Sequence, residues 1–307
     1  MPEVSVIIVN WNARQYLARC LAALVEHGAG VDYDLWVVDN ASEDDSVAFV
    51  QQAFPQAHLI MNAQNVGFAR ANNQAIAQST GRFLLLLNSD AFLQAGALES
   101  LLQAMRNHPD TGIAGAQLFY EDGRLQRSCY AFPTLASELW QTLWLDRLFP
   151  HSRVFGGYQM TWWAMDTPRE VDWVMGACIL VRREALEQVG GFDESFFMYS
   201  EETDLCYRMK QAGWKVRYVP DARVVHVWGG SANLAGRETL VRLYQSRVRF
   251  FRKHYGPLTA FGYKLLLGFS SLVRTAMGWV ISTVFRRPGV QNQSRAYWYL
   301  FRRVHLF

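Results

Sequence analysis

An open α/β fold, with a mostly parallel central sheet flanked by helices and a basic helical C-terminal extension, follows from three features of the sequence. Short apolar runs rich in β-branched residues alternate with segments of helical periodicity over roughly the first hundred residues, the pattern of β-α-β units. Several of those runs are continuous, as befits strands buried on both faces of a parallel sheet. From residue 237 onward the composition changes, to thirteen Lys/Arg against one acid, Glu238.

Val4–Val9 reads as the first strand and Tyr16–Val25 as a helix with apolar residues at helical spacing. Leu35–Val38 is a second strand. Ser42 then fits a helix N-cap, followed by Glu43, Asp44 and Asp45 in a first turn, where the helix dipole favours acids. His58–Met61 is a third strand, Phe68–Ala77 a helix, and Phe83–Leu87 a continuous apolar strand. Asp122-Gly123 marks a turn, Leu135–Leu148 a Trp-bearing helix, and 151–170 a loop-like stretch. A second α/β block follows: strand Val171–Val181, helix Arg183–Val189, turn Gly190-Gly191, helix Glu201–Ala212 and strand Lys215–Val219.

The tail is different in kind. Glu238–His254 reads as a basic helix, and Leu258–Phe285 as mostly apolar but interrupted by Lys264 and Arg274. A membrane span needs about 20 residues with few charges, so interfacial amphipathic helices fit better than a span. Arg286-Arg287 and Arg302-Arg303 suit anionic headgroups. The division is therefore residues 1–236 as the α/β domain and 237–307 as an amphipathic extension.

With 307 residues, half of them hydrophobic, the chain is long enough for one large core. Its net charge of +3 hides an acidic body, with twenty-six acids against seventeen bases before residue 237. An acidic body with a basic tail points to an anionic surface as partner rather than to nucleic acid. The four cysteines, Cys20, Cys129, Cys178 and Cys206, have no C-x-x-C spacing and read as small buried hydrophobes in a reducing compartment. Val4–Val9 is too short, and lacks the basic flank, for a signal peptide.

Five polar segments carry the chemistry. Leu84–Leu87 emerges into Asn88-Ser89-Asp90. In open α/β sheets ligands bind beyond the carboxyl ends of strands, and a hard divalent cation takes carboxylates plus substrate phosphates, so Asp90 is a candidate metal ligand. Asp39 closes the strand before Asn40-Ala41-Ser42 and is suited to a base or ribose, or to forming the turn. In Asn65–Asn73, Gly67 permits close backbone approach, Arg70 suits a phosphate, and Asn72 and Asn73 are poor helix formers that suggest a polar task. Glu201, Glu202 and Asp204 crowd one helix start. They are either dipole-favoured acids, with Asp204 paired to Arg208, or they include a general base whose pKa mutual repulsion raises. His226 ends an apolar run before Gly229-Gly230 and can complete a metal site begun by Asp90.

In order, and over about residues 4–231, these segments resemble the inverting glycosyltransferases of family 2, which have the GT-A fold. Ser5-Val6-Ile7-Ile8-Val9-Asn10-Trp11-Asn12, Asn65–Asn73 and Gly190-Gly191-Phe192-Asp193-Glu194 are most similar to bacterial rhamnosyltransferases of surface-polysaccharide assembly. The resemblance implies that Asp39 contacts the nucleotide base, and that Asn10, Asn65, Gly67, Arg70, Asn72 and Ser89 serve the donor. Asp90 matches the last acid of the D-x-D motif, with Asn88 where the first Asp often stands, and His226 matches a C-terminal metal ligand for Mg²⁺ or Mn²⁺. The Glu-Asp base motif falls on Glu201-Glu202, which makes Glu202 the expected base.

The implied reaction moves a sugar from a nucleoside diphosphate, dTDP-rhamnose or a UDP-hexose, to a glycan or polyprenyl-diphosphate-linked acceptor at the cytoplasmic face of a membrane. A nucleotide-dependent oxidoreductase is excluded, because Val9-Asn10-Trp11-Asn12 has no G-x-G-x-x-G. A sugar-phosphate nucleotidyltransferase and a non-catalytic membrane scaffold are the alternatives.

Overall fold

The computed structural model describes residues 1–227, 236–285 and 288–307. The chain runs β1 (Val4–Asn10), α1 (Arg14–His27), β2 (Tyr33–Asp39), α2 (Ser46–Ala53), β3 (His58–Met61), α3 (Phe68–Gln78), β4 (Phe83–Asn88), β5 (Ala91–Leu93), α4 (Ala97–Asn107), β6 (Thr111–Phe119), β7 (Leu125–Gln126) and β8 (Cys129–Tyr130). It continues through α5 (Leu135–Thr142), α6 (Leu145–Leu148), β9 (Arg169–Val171), β10 (Trp173–Val174), β11 (Cys178–Arg182), α7 (Arg183–Val189), α8 (Glu201–Gln211), β12 (Lys215–His226), α9 (Gly236–Tyr255), α10 (Pro257–Phe285) and α11 (Pro288–Phe301). Two compact units result. One holds Met1–Phe132, Gln159–Phe197 and the described part of 201–231; the other holds Pro133–Tyr158, Met198–Ser200 and the described part of 232–307.

The first unit is the α/β body. Its sheet has the order β3-β2-β1-β4-β11-β6-β12-β5, with β7 on β6 and β9 on β12. β3, β2, β1 and β4 are all parallel, and β12 is parallel to β6. The continuous apolar runs predicted this: Val6, Ile8, Leu85 and Leu87 are buried in one core with Leu17 and Leu21 of α1 and Leu101 of α4. Register carries the functional consequence. Val9 lies opposite Asn88 and Asn10 opposite Asp39, so three strands release their polar ends at one edge, where open sheets bind ligands.

Four expectations require correction. Ser42 does not cap a helix: α2 starts at Ser46 with Asp45 at its N-cap position, and the Ser42 hydroxyl is used elsewhere. The run Val171–Val181 is not one strand but β9, β10 and β11, because Gly176 and flanking residues loop between two sheets. β11 then runs antiparallel between β4 and β6. Leu135–Leu148 is broken into α5 and α6 at Trp144, whose φ is +55°. The strand begun at Lys215 runs on to His226 across a bulge between Val219 and Arg223, where Pro220 cannot donate to a ladder.

Polar residues bind the body together. Asn73 accepts from Phe192 N at 2.9 Å and donates to its carbonyl at 2.9 Å. This clamp explains the poor helix former in α3, and it holds Gly191, where a Cβ would meet the Asn73 Oδ1 at 2.6 Å. Asp204, fully buried, pairs with Arg208 at 2.8 Å, and that guanidinium also donates to the carbonyls of Val189, Gly190 and Gly191. All four cysteines are free and buried, and burial pushes the Cys178 thiol up to about 12, so they are packing residues.

The second unit is helical. Arg247 of α9 donates to the Glu138 carboxylate of α5 at 2.7 Å and to the Tyr158 hydroxyl at 2.8 Å, and Phe251 stacks on Tyr263 of α10. One side of α10 is buried at Ala260, Tyr263, Leu267 and Ser271. The other exposes Leu258, Phe261, Leu265, Phe269, Leu272, Trp279 and Val280, one stripe at helical spacing. The two charges within this helix are turned away from the stripe: Lys264 bonds the Phe307 carbonyl at 2.7 Å, and Arg274 bonds the Gln141 carbonyl and the Ser270 hydroxyl. Arg286 and Arg287 lie outside the described residues.

Gly67 tests the packing. Its φ is +87°, and a Cβ there would stand 2.5 Å from the Phe197 carbonyl oxygen. Gly30, at φ +96°, has open space. Gly30→Ala is expected to cost about 1 kcal/mol of backbone strain, and Gly67→Ala at least twice that, measured by urea unfolding.

Candidate active site

The site grows from the carboxyl edge of the parallel strands. At the end of β1, Asn10 is fully buried and donates to Asp39 Oδ1 and Ser42 Oγ, both at 3.2 Å. Asp39 Oδ2 accepts the Ser42 N–H at 2.9 Å. Ser42 Oγ accepts the Asn12 N–H, and Asn12 Oδ1 accepts the Glu43 N–H. The first two strand-to-helix loops are thus stitched into one wall, and this is the task Ser42 performs instead of capping. Asn40 extends it, donating to the Gly67 carbonyl at 3.2 Å and accepting from Asn62 at 2.9 Å.

The Asn65–Asn73 segment is mostly self-satisfied. Asn65 Oδ1 accepts the Gly67 N–H at 3.0 Å. The close approach that Gly67 permits is to Phe197. Asn72 is buried and donates to the Phe68 carbonyl one turn back at 2.9 Å. Arg70 is exposed, with its nearest carboxylate, Glu194, 3.9 Å away.

β4 ends at Asn88, and Ser89 and Asp90 follow, both 4% exposed. β5 then pairs with the end of β12, Ala91 opposite His226, and the Val227 N–H donates to the Asp90 carbonyl at 2.9 Å. That pairing brings Asp90 Oδ1 to 3.5 Å from His226 Nε2, with both side chains nearly buried. His226 Nδ1 lies 2.9 Å from Gln126 Oε1 at the end of β7. Trp228, Gly229, Gly230 and Ser231 lie outside the described residues.

Among the buried side-chain atoms without hydrogen-bond partners in the described residues are Asn10 Oδ1 and Asn88 Oδ1. Buried acceptors are seldom left unpaired, and both stand at the strand ends where a ligand would lie. Asp90 and His226 bring a carboxylate and an imidazole together, donors that a divalent cation which also takes substrate phosphates can use. The residues present therefore fit a divalent metal, although no group of three or more His, Cys, Asp or Glu converges among the described residues.

Glu201 and Glu202 open α8. Glu201 is buried and its Oε2 has no partner. Burial first, and the Glu202 carboxylate second, hold its pKa well above the usual carboxylate range. Glu202 is half-buried. A Cβ at Gly176 would stand 3.5 Å from the Glu202 Cβ, and the next residue, Ala177, accepts the Asn88 N–H at 2.9 Å. A short backbone path thus ties the carboxylate pair to the Asn88–Asp90 turn. Asn12, Asn40, Ser42, Gln126 and Gly176 were not among the predicted site residues. Asn40 and Ser42 adjoin Asp39 and were within reach of sequence reasoning, whereas nothing around Gln126 or Gly176 signals a role.

Comparison with known proteins identifies the family. Residues 2–249 match the family described as Glycosyltransferase like family 2. A Mycobacterium tuberculosis protein named N-acetylglucosaminyl-diphospho-decaprenol L-rhamnosyltransferase is 31% identical over 232 residues, 72% of this chain and 75% of the relative. Rhamnosyltransferase WbbL of Escherichia coli is 45% identical over 56 residues, 18% of this chain and 21% of its own. Among solved structures, a mannosyltransferase from Pyrobaculum calidifontis in complex with GDP-Man and Mn²⁺ superposes with a TM-score of 0.57 at 17% identity, over 99% of this chain and 86% of that one. The nucleotidyltransferase and scaffold alternatives fall with the family match. With a GT-A-like fold, its polar residues gathered at the strand ends and most of its length matched, this chain belongs to glycosyltransferase family 2 and is a glycosyltransferase.

Proposed function

We propose that the protein is an inverting, metal-dependent transferase that moves a deoxyhexose, rhamnose from dTDP-rhamnose in the first instance, to a hydroxyl of a lipid-linked glycan. The observation that carries the reading is the approach of Asp90 and His226 to 3.5 Å at the end of β4. The likeness to a relative named as a rhamnosyltransferase on a diphospho-decaprenol-linked sugar supports the choice of donor and acceptor class. A UDP-hexose is the second donor to try.

In this reading Asn10, Asp39 and Ser89 line the nucleotide, and Asn65, Gly67, Arg70 and Asn72 shape the donor side of the cleft. Asp90 and His226 would hold Mg²⁺ or Mn²⁺, which would neutralise charge on the leaving diphosphate. The acceptor hydroxyl attacks the anomeric carbon as the bond to the diphosphate breaks, and configuration inverts. Glu202 takes the hydroxyl proton. Burial and the neighbouring carboxylate raise the proton affinity of Glu201 beside it, which disfavours two charges on the pair.

The helical unit carries the proposed membrane attachment. The outward apolar stripe of α10, within a stretch long and apolar enough to cross a membrane, Pro257–Thr283, is buried on its opposite side within its own unit. A helix with one protein-facing and one apolar outward face lies in an interface more readily than it spans, which supports peripheral attachment at the cytoplasmic face.

Glu202→Gln is expected to lower kcat by roughly 10²–10⁴-fold while donor affinity stays near wild type. Full activity in that variant removes Glu202 from the mechanism. Asp90→Ala should abolish the Mn²⁺ dependence of donor binding in calorimetry with dTDP-rhamnose and UDP-sugars; undiminished binding refutes the metal role. A carboxyl with a raised folded-state pKa costs stability as pH climbs above its unfolded value of about 4.3. Glu201→Gln should therefore raise Tm at pH 7 and leave it unchanged near pH 3.5. Phe269→Glu combined with Leu265→Glu should release the protein from anionic vesicles at unchanged Tm; persistent co-sedimentation removes the stripe as the anchor.

A further inference from the structure

Within the helical unit, residues of α5, α9 and α10 line a cavity of about 220 Å³, partly open to solvent. That is below the roughly 300–1,000 Å³ of sites for drug-sized ligands, and it suits a small polar head. Its lining includes Glu138, Tyr244, Arg247, Tyr263 and Arg274. Glu138 and Arg247 meet at 2.7 Å and offset each other's charge. Among the described residues Arg274 bonds neutral oxygens, the Ser270 hydroxyl and the Gln141 carbonyl, both at 3.2 Å. The lining therefore carries a net positive charge from Arg274. Tyr263 is 1% exposed and its hydroxyl has no hydrogen-bond partner, which is uncommon for a buried polar atom. Burial first, and the Glu138 carboxylate second, push the Tyr263 pKa up, and burial does the same for Tyr244. Both phenols keep their protons and are available as donors.

An arginine not spent on a carboxylate, beside phenolic donors, is a donor set that recognises a phosphoryl group. The cavity also borders the outward stripe of α10. Leu266 lines the cavity, and on a helix it neighbours both Phe269 of the stripe, at i+3, and Ser270 of the cavity wall, at i+4. A polar head inside and an apolar chain across Leu266 and Phe269 describe one amphiphile. We propose that this cavity binds the phosphoryl head of an anionic phospholipid, with Arg274 and Tyr263 as its donors and the α10 stripe against the acyl chains. The place of the chains rests on the interfacial reading of α10 above, whereas the head site stands on the cavity itself.

The test is calorimetry on the full-length protein with dihexanoyl phosphatidic acid below its micelle concentration. Two further probes are dihexanoylglycerol, which lacks the phosphate, and inorganic phosphate, which lacks the chains. Dihexanoyl phosphatidic acid is expected to bind roughly tenfold or more tightly than inorganic phosphate, the gain of covering a few methylenes, and dihexanoylglycerol not at all. Tyr263→Phe and Arg274→Gln should each weaken phosphatidic acid binding about tenfold or more, the worth of a hydrogen bond to a charged group. Tyr263→Phe should leave Tm unchanged or raise it, because its hydroxyl has no partner to lose. Undiminished affinity in folded Tyr263→Phe and Arg274→Gln proteins, or equal binding of dihexanoylglycerol, overturns the proposal. Inorganic phosphate that binds as tightly as the lipid makes a free anion the ligand and overturns the lipid assignment. Wild-type protein that sediments with anionic vesicles yet takes up no phosphatidic acid overturns the head site alone. Protein that binds phosphatidic acid but does not sediment overturns the interfacial reading of α10 alone.

Discussion

The pairing of β5 with the end of β12 is the constraint on which the site depends. Asp90 and His226 belong to separate α/β blocks of the sequence, and only this short antiparallel ladder, closed by the Val227-to-Asp90 backbone bond, makes them neighbours. The ladder in turn needs the bulge between Val219 and Arg223. The first half of β12 runs parallel to β6, and the bulge lets the strand keep pairing with β6 while its last residues reach β5. A bulge that re-aims side chains beside a functional site is a recurrent device.

The wall opposite is built by a different economy. Asn10, Asn12, Asn40, Ser42 and Asp39 exchange hydrogen bonds across loops that leave adjacent parallel strands. Each bond offsets the cost of burying a polar side chain, which is large when unpaired. Against that background of satisfied groups, the free oxygens of Asn10 and Asn88 stand out. The glutamate pair differs by burial: burial raises the proton affinity of Glu201, and Glu202 is the more accessible of the two.

The helical unit separates its two tasks by helix face. Inward, α10 meets the buried Arg247–Glu138 pair and its phenol partners. Outward, it is an unbroken apolar stripe. Lys264 and Arg274 looked like interruptions in the linear sequence, yet both sit on the inward side, where main-chain carbonyls receive their donors. Charges that argue against a membrane-facing helix by count do not do so once their direction is known.

Much of this protein was legible in its sequence. Continuous β-branched runs marked β1, β2 and β4, because strands buried on both faces must be apolar throughout. Polar residues where those runs stop marked Asp39 and Asp90, because open sheets place ligands at strand ends. Crowded acids marked Glu201 and Glu202. Tertiary structure alone decided the rest. It assigned Asn73 to clamping Phe192, moved Ser42 from a helix cap to a loop clasp, split Val171–Val181 between two sheets, and set Gln126 beside His226. The physical reason is common to all four. Periodicity and propensity report what a residue does to its own segment, whereas a hydrogen bond between distant segments depends on where the fold brings its partner.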